Sequence, residues 1–415
     1  MADTICALAR VRRTLAADLL PDLAIVQQLH AAGIVWRERL LTPLVMVRLF
    51  VLQILFGNTS ITHLRQLSGI DFAPASYCQA RMRLPLCLLR SLLRWTLEQA
   101  RTVKDPTGPR VLVADCSSFS MPDTTELRSK FGLPKGRCCK PGVSYPVAKV
   151  MALLDLGSGC LIRLIPGALY RHEASSVIRL HPLLREGDIL LGDRAFCSFV
   201  HIVLLSMRGA YACFRLHQCR KDVRAGLGRW KCPKFRPRWM SVQQFRSLPR
   251  WLTIRIVRYQ TGRRGFRSRR IDIATTLLDR TLWPDEKIAE LYGHRWNIET
   301  CFNHLKTTMN MSVLKCRRVG GIYRELMMYL IVYNLVRLAM LRFAVSEERD
   351  VNRVSFIDGL RYLSMRLLGL DGVERLLLNP ERPGRQSLRV IRRRMKEYDL
   401  LTEPRCERMA REIQG

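Results

Sequence analysis

Two short apolar runs, VLVA at 111–114 and ILLG at 189–192, each close on an aspartate, Asp115 and Asp193. A short apolar run without polar alternation reads as a strand buried on both faces. Such strands lie at the centre of a sheet covered by helices on both sides, so a chain with two of them is held to an α/β core. AKVMALLDL and CLIRLIPG read as two further strands joined by the turn Gly157-Ser158-Gly159, and AYACFRL and RIDIATTLLD as two more. ASSVIRLHPLL and CSFVHIVLLSMRG between them carry helical spacing.

The segments around this core differ in composition. Residues 1–100 repeat apolar side chains at helical spacing through LTPLVMVRLFVLQILF and LPLCLLRSLLRWTLEQA. Residues 101–110, polar with two prolines, read as a linker. The core is expected over 111–343, interrupted at 218–270 by a stretch rich in Arg and Lys with Trp230, Trp239 and Trp251 interleaved. A disordered basic tail would lack so many aromatics, so an inserted, mostly β module with a basic surface is expected. WPDEKIAELYGHRWNIETCFNHLKTT reads as a long helix starting near Pro284, and IYRELMMYLIVYNLVRLAMLRFA as a buried one. Residues 344–415 read as helical and basic, with Arg392, Arg393, Arg394 and Lys396.

The charge narrows the partner. Sixty-nine Lys and Arg against 35 Asp and Glu give a net +34, a field that points to a polyanion. Nucleic acid comes first, ahead of an anionic membrane or an acidic protein, and the excess of Arg over Lys suits bidentate phosphate contact. Arg81, Arg83, Arg90 and Arg94 add positive charge to the helical N-terminus, which fits a helical DNA-binding domain over 1–100, with a plain helical bundle as the competing reading. Leu41–Phe56 contains Arg48, and Met327–Phe343 contains Asn334, Arg337 and Arg342, so both are expected as buried helices rather than membrane spans. No secretory signal is read, because Arg10, Arg12 and Arg13 break the N-terminal apolar stretch. Cys213, His217, Cys219 and Cys232 could be read as metal ligands, but no CxxC pair occurs, and reduced thiols of a cytosolic protein are the simpler account.

Tyr292, Arg295, Glu299 and Lys306 carry the remaining signal. On an ideal helix their spacing places all four within about 60° of one another. Arg295–Glu299 alone would be an ordinary i,i+4 ion pair. With Asp115 and Asp193, however, Glu299 makes three acids on core elements. Three clustered carboxylates repel unless cations join them. A pair of Mg²⁺ ions about 4 Å apart serves both ends of a phosphodiester displacement, and Mg²⁺ takes oxygen ligands. Asp123 competes with Asp115 but lies after Pro122, His172-Glu173 reads as a helix cap, and His294 points away from the stripe.

The pattern Y-x2-R-x3-E-x6-K, matched at these four positions, resembles the signature of bacterial insertion-sequence transposases of the DDE superfamily, in the large family whose members cut through a DNA hairpin. Asp193-Arg194-Ala195-Phe196 looks like that family's second acidic motif, ADCSSFSMPDT like its first, and SYCQARMRLP, residues 76–85, like its N-terminal module. The resemblance spans residues 40–400. It implies a ribonuclease-H-like α/β catalytic core with a β-rich insertion, a helical N-terminal domain and a helical C-terminal region. It further implies that Asp115, Asp193 and Glu299 hold two Mg²⁺ ions, with Mn²⁺ able to substitute. Tyr292, Arg295, Lys306 and Arg194 would contact DNA, and Trp296 would stack on a flipped base unless it is a core tryptophan. The implied partners are transposon terminal inverted repeats and target DNA, met by a homodimer in a synaptic complex on the bacterial nucleoid in the cytoplasm, without a membrane. A catalytically inactive end-binding copy and a ribonuclease-H-like structure-specific nuclease are the competing functions.

Overall fold

The computed structural model describes residues 20–37, 39–103, 108–134, 142–220, 223–261, 269–368, 376–379 and 403–414. The basic run Arg392–Arg394 with Lys396, and Arg10, Arg12 and Arg13, lie outside them.

The described strands are β1 (Val111–Ser120), β2 (Val147–Asp155), β3 (Leu161–Ala168), β4 (Ile189–Gly192), β5 (Tyr211–Arg215), β6 (Gly226–Lys231), β7 (Trp251–Thr261) and β8 (Arg269–Thr275), joined in one sheet of order β3-β2-β1-β4-β5-β8-β7-β6. β1, β4 and β5 run parallel, and the remaining neighbours are antiparallel. The β3-β2-β1-β4-β5 portion, an antiparallel meander continued by two parallel strands, is the ribonuclease-H-like arrangement expected from the order of elements. β2 and β3 meet at the expected turn, where Gly159 takes a positive φ and its N–H reaches the Asp155 carbonyl at 2.8 Å.

Two features of the sheet depart from the sequence reading. β1 does not stop at Asp115 but continues to Ser120, because the long antiparallel β2 supplies ladder partners to the polar half: Asp115 faces Ala152 and Ser120 faces Val147. Apolar content alone does not show where a strand ends when its neighbour is long. The strands of the basic 218–270 stretch are also not set apart from the core. Through β8, they pair with β5 (Phe214 against Ala274) and extend the same sheet, satisfying an edge whose N–H and C=O groups would otherwise stay open.

Alternation along the central strands separates two cores. Leu112, Leu190 and Ala212 face one side, where α8 (Phe199–Ser206) packs. Val113, Leu191 and Cys213 face the other, and there the sheet shares an unbroken apolar core with the N-terminal helices α1 (Asp22–Ala31), α2 (Pro43–Leu55), α3 (Ile61–Ser68), α4 (Pro74–Arg83) and α5 (Leu86–Val103). α5 runs three residues into the stretch read as a linker. Along the chain between these groups lie α6 (Thr125–Phe131) and α7 (Glu173–Val177), and between β6 and β7 lies α9 (Val242–Arg246). α7 is capped by His172, whose Nδ1 accepts from the Ala174 N–H at 3.2 Å.

The second face is covered by α10 (Asp285–Gly293), α11 (Trp296–Asn303) and α12 (Val319–Ser346). α12 is long and apolar enough to cross a membrane, yet 83% of its apolar window is buried inside the fold. Its polar residues have structural partners: Asn334 exchanges hydrogen bonds with both the N–H and C=O of Leu161, at 2.9 and 3.0 Å, and Arg337 donates to the Ser158 carbonyl. These bonds fasten the core helix to the β2–β3 hairpin and explain why a buried helix carries them. Beyond it, α13 (Phe356–Leu367) packs on α12, and α14 (Arg405–Gln414) lies near the end of the chain.

The long helix expected from Pro284 onward is three segments. After α10 the chain tightens, with N–H groups of His294 and Arg295 bonding three residues back. α11 follows, then a π-helical turn at His304–Thr308. Tightening and loosening both change the rotation per residue, so the four-residue stripe of an ideal helix does not hold across this stretch.

Candidate active site

β1 and β4 are parallel neighbours with Ala114 beside Gly192, so Asp115 and Asp193 follow in register on adjacent strands. Asp193 begins a 3₁₀ turn, Arg194–Phe196, whose Phe196 N–H returns to the Asp193 carbonyl at 3.0 Å. Gly192 permits this turn: a Cβ there would stand 2.6 Å from the Phe196 ring and 3.1 Å from Phe214. Asp115 shares strand parity with Val113 and so faces α11, which packs against β1.

Glu299 on α11 completes the group, and Arg295 ties it together. One guanidinium nitrogen lies 3.4 Å from Asp115 Oδ2, and another donates to Glu299 Oε1 at 2.9 Å. The Asp115 Oδ1 also accepts from the Cys116 N–H at 2.7 Å. Burial pushes the Asp115 carboxyl up to about 6, with the charges of Asp193 and Glu299 adding and the Cys116 N–H and Arg295 opposing. Asp193 and Glu299 are therefore each within electrostatic reach of Asp115.

The other residues of the signature take unlike positions. Tyr292 is buried, and its hydroxyl donates to the Gly192 carbonyl at 3.3 Å, which pins α10 to the end of β4. Trp296 is 62% exposed, with Arg295 over its ring at 5.4 Å, so it is not a core tryptophan. Lys306 lies half-buried in the π turn, its ammonium 5.2 Å from the Phe119 ring centre, and burial lowers its pKa. Phe119 is four residues beyond Asp115 on the same face of β1, about 13 Å along the strand. Arg194 is half-exposed and donates to Gln218 at 2.9 Å.

The alternatives considered from the sequence resolve by position. Asp123 is engaged by Arg128 and by Arg405, at 2.9 Å from the latter, and stands apart from the acids. His294 is exposed and outside the ion-pair cluster. Cys213 is fully buried in β5, and among the described residues no group of three His, Cys, Asp or Glu side chains is set to hold a metal ion, which removes the Cys213–Cys232 reading. The same finding covers the acids: Asp115 and Glu299 are held by Arg295 rather than closed into a cage. Their chemistry still suits a hard divalent cation, since the donors are carboxylate oxygens and a guanidinium already holds positive charge between two of them. Phe119, the platform under Lys306, was missed in the sequence; its i+4 spacing from Asp115 along a strand was the available signal.

A family model, the transposase DDE domain, matches residues 106–335. The transposase InsG for insertion sequence element IS4 of Escherichia coli (strain K12) is 24% identical over 316 residues, covering 72% of this chain and 69% of that protein. The putative transposase InsZ of the same organism is 30% identical over 141 residues, 33% of this chain and 47% of that one. Among solved structures, the piggyBac transposase synaptic complex with hairpin DNA aligns at a TM-score of 0.42 and 10% identity, over 87% of this chain and 80% of that chain, a likeness too loose to argue from. DDE transposases act on DNA with divalent metal ions. With its core strands inside the matched range and its relatives among insertion-sequence proteins, this chain belongs to the DDE transposase family, as a bacterial insertion-sequence enzyme that cleaves DNA and transfers its strands.

Proposed function

We propose that this transposase cuts the ends of its own insertion sequence with Asp115, Asp193 and Glu299 as the ligands of two Mg²⁺ ions, Mn²⁺ serving in their place, and that it excises the element through a DNA hairpin. The observation that carries the reading is the Arg295 guanidinium between Asp115 and Glu299, two acids 184 residues apart in sequence (299 − 115) brought to one cation. When bound, the metal pair supplies an activated attacking oxygen and a stabilised leaving oxygen.

The chain's own residues supply the rest. Arg295 exchanges its carboxylates for phosphate oxygens of the DNA and keeps the cut strand in line. Tyr292 acts from below, by fixing α10 to β4, and Arg194 and Lys306 reach flanking phosphates. Lys306→Ala is expected to weaken end binding and to lower the slope of log affinity against log salt by about 1; an unchanged slope would remove Lys306 from the DNA. Trp296, exposed beside the acids, stacks on the base flipped out at the hairpin.

The division of labour that goes with this reading assigns end recognition to the helices of 1–100 and the basic strands of 218–270. Residues 111–343 form the catalytic domain, and 344–415 form a basic C-terminal region. Two chains would join two ends in one synaptic complex on DNA in the cytoplasm. Incubation with the flanking element ends and Mg²⁺, followed by strand-resolved product analysis, tests the whole sequence of steps. The expected products are 3′ nicks, then hairpins, then blunt excised element, in complexes of two chains. Trp296→Ala should leave nicking and reduce hairpins, and a normal hairpin yield would exclude Trp296 from that role. Binding without any nick would favour an inactive end-binding protein, and nicks on branched DNA of any sequence would favour a structure-specific nuclease.

A further inference from the structure

A groove of about 700 Å³ lies between α3, α4 and the segment 315–318 that leads into α12. Arg81, Arg83, Lys315, Arg317 and Arg318 line it, and no carboxylate does. Arg83, Arg317 and Arg318 are exposed at its rim, where Arg317 and Arg318 carry no ion pair among the described residues. Arg81 is buried in its floor, donating to Cys316 Sγ at 2.7 Å and Gln53 Oε1 at 3.2 Å. The N-termini of α3 and α12 both begin at this groove and add positive potential.

The walls are fixed to one another. Glu325, fully buried on α12, accepts from Asn58 Nδ2 at 2.7 Å and from the backbone N–H groups of Lys315 and Cys316, each at 2.9 Å. Lys315 in turn donates to the Asn58 carbonyl. A single acid thus shapes the 315–318 wall and joins it to the turn before α3.

The groove also has a fixed relation to the acids. Ser120, at the end of β1, donates to the Ser312 carbonyl at 3.1 Å and accepts from the Leu314 N–H at 2.9 Å. Five residues of strand separate Ser120 from Asp115, about 17 Å, so the segment that enters the groove meets β1 roughly five base pairs of duplex from the acids, at about 3.4 Å each. Lys306, over Phe119, stands between the two.

We propose that this groove is a second DNA-backbone site, which takes the duplex about five base pairs from the cleaved phosphate and sets where the end lies on the acids. The proposal rests on the reading of Asp115, Asp193 and Glu299 as the cleavage centre. Duplex is the occupant that fits a cationic rim without acids, and the apolar faces of Ile61 and Met82 suit deoxyribose.

Arg317→Ala/Arg318→Ala tests it, with both side chains exposed and the melting temperature expected to match the parent. Affinity is measured for a duplex spanning an element end and for two versions trimmed to about 3 base pairs on one side or the other of the cut. The variant should bind the full duplex at least tenfold more weakly, with a salt slope lower by about 2. On the version that no longer reaches the groove, parent and variant should bind alike. Methylphosphonates placed about five base pairs from the cut should weaken the parent and not the variant. Equal losses on both trimmed duplexes, no loss on the full one, or a changed oligomeric state with DNA binding intact would overturn the proposal. A parent that neither binds nor cuts element ends would instead sink the functional reading beneath it.

Discussion

Glu299→Gln is expected to bind element-end DNA near normally and to leave it uncut, with cleavage down by about 10³-fold or more. The amide keeps the shape of the side chain and removes its charge. A ligand of the metal pair acts on charge that develops only as the phosphodiester breaks, and its loss carries several kcal/mol, each 1.4 kcal/mol being about tenfold in rate. The fold loses little by comparison. Glu299 is an exposed helical residue whose bond is to Arg295 four residues before it, and such pairs contribute about 0.3–0.5 kcal/mol. Binding draws on the wider basic surface, so it should persist. Cleavage within tenfold of the parent, or a parallel loss of binding, would contradict a role confined to holding metal.

Asp115→Asn is the second large effect, and it has two opposite parts. Cleavage should disappear, while the protein without divalent metal should melt a few degrees higher than the parent at neutral pH. The reason lies in the cost of the buried charge. Folding raises the Asp115 pKa to about 6 from the ordinary 3.8, first through burial and then through Asp193 and Glu299. A raised acid pKa means that the folded state binds its proton more tightly than the unfolded chain. The contribution of this group to stability is therefore greatest below about pH 4, falls as pH rises from there to about 6, and stays reduced above it. The upper bound for this cost is about 3 kcal/mol, and the neutral amide avoids it while Arg295 keeps Glu299. Mg²⁺ should raise the melting temperature of the parent and move the variant less. A variant that melts lower than the parent in chelator, or gains as much from Mg²⁺, would show that Asp115 is a structural residue.

Much of this site could be read from the chain because its parts are local. The apolar runs before Asp115 and Asp193 are buried strands for the reason that makes them recognisable, namely that both faces are covered. The buried helices containing Arg48 and Asn334 were separable from membrane spans by those same polar residues, and Asn334 proves to bind the backbone of β3.

What the chain did not disclose depends on partners distant in sequence. The length of β1 is set by β2, not by its own polar second half. The helix carrying Glu299 is tightened at His294–Arg295 and widened at His304–Thr308, which an ideal 100° rotation cannot anticipate. Tyr292, placed by that rotation on one stripe with Arg295 and Glu299, instead turns inward to Gly192. The basic strands of 218–270 read as an inserted module because β6 and β7 reach the core sheet only through β8, which pairs with β5. The Arg317–Arg318 groove needs three segments that no periodicity links, and only the folded chain brings them together.

The central claim is that Asp115, Asp193 and Glu299 share the metal ions that cut DNA. Its most direct test is the number of Mn²⁺ ions bound per chain in the complex with element-end DNA, read by electron paramagnetic resonance for the parent and for Asp115→Asn, Asp193→Asn and Glu299→Gln. Two ions per chain in the parent, coupled to each other, with at least one lost in every variant, is the expected result. Unchanged occupancy and affinity in any one of the three would place the metal elsewhere and contradict the account.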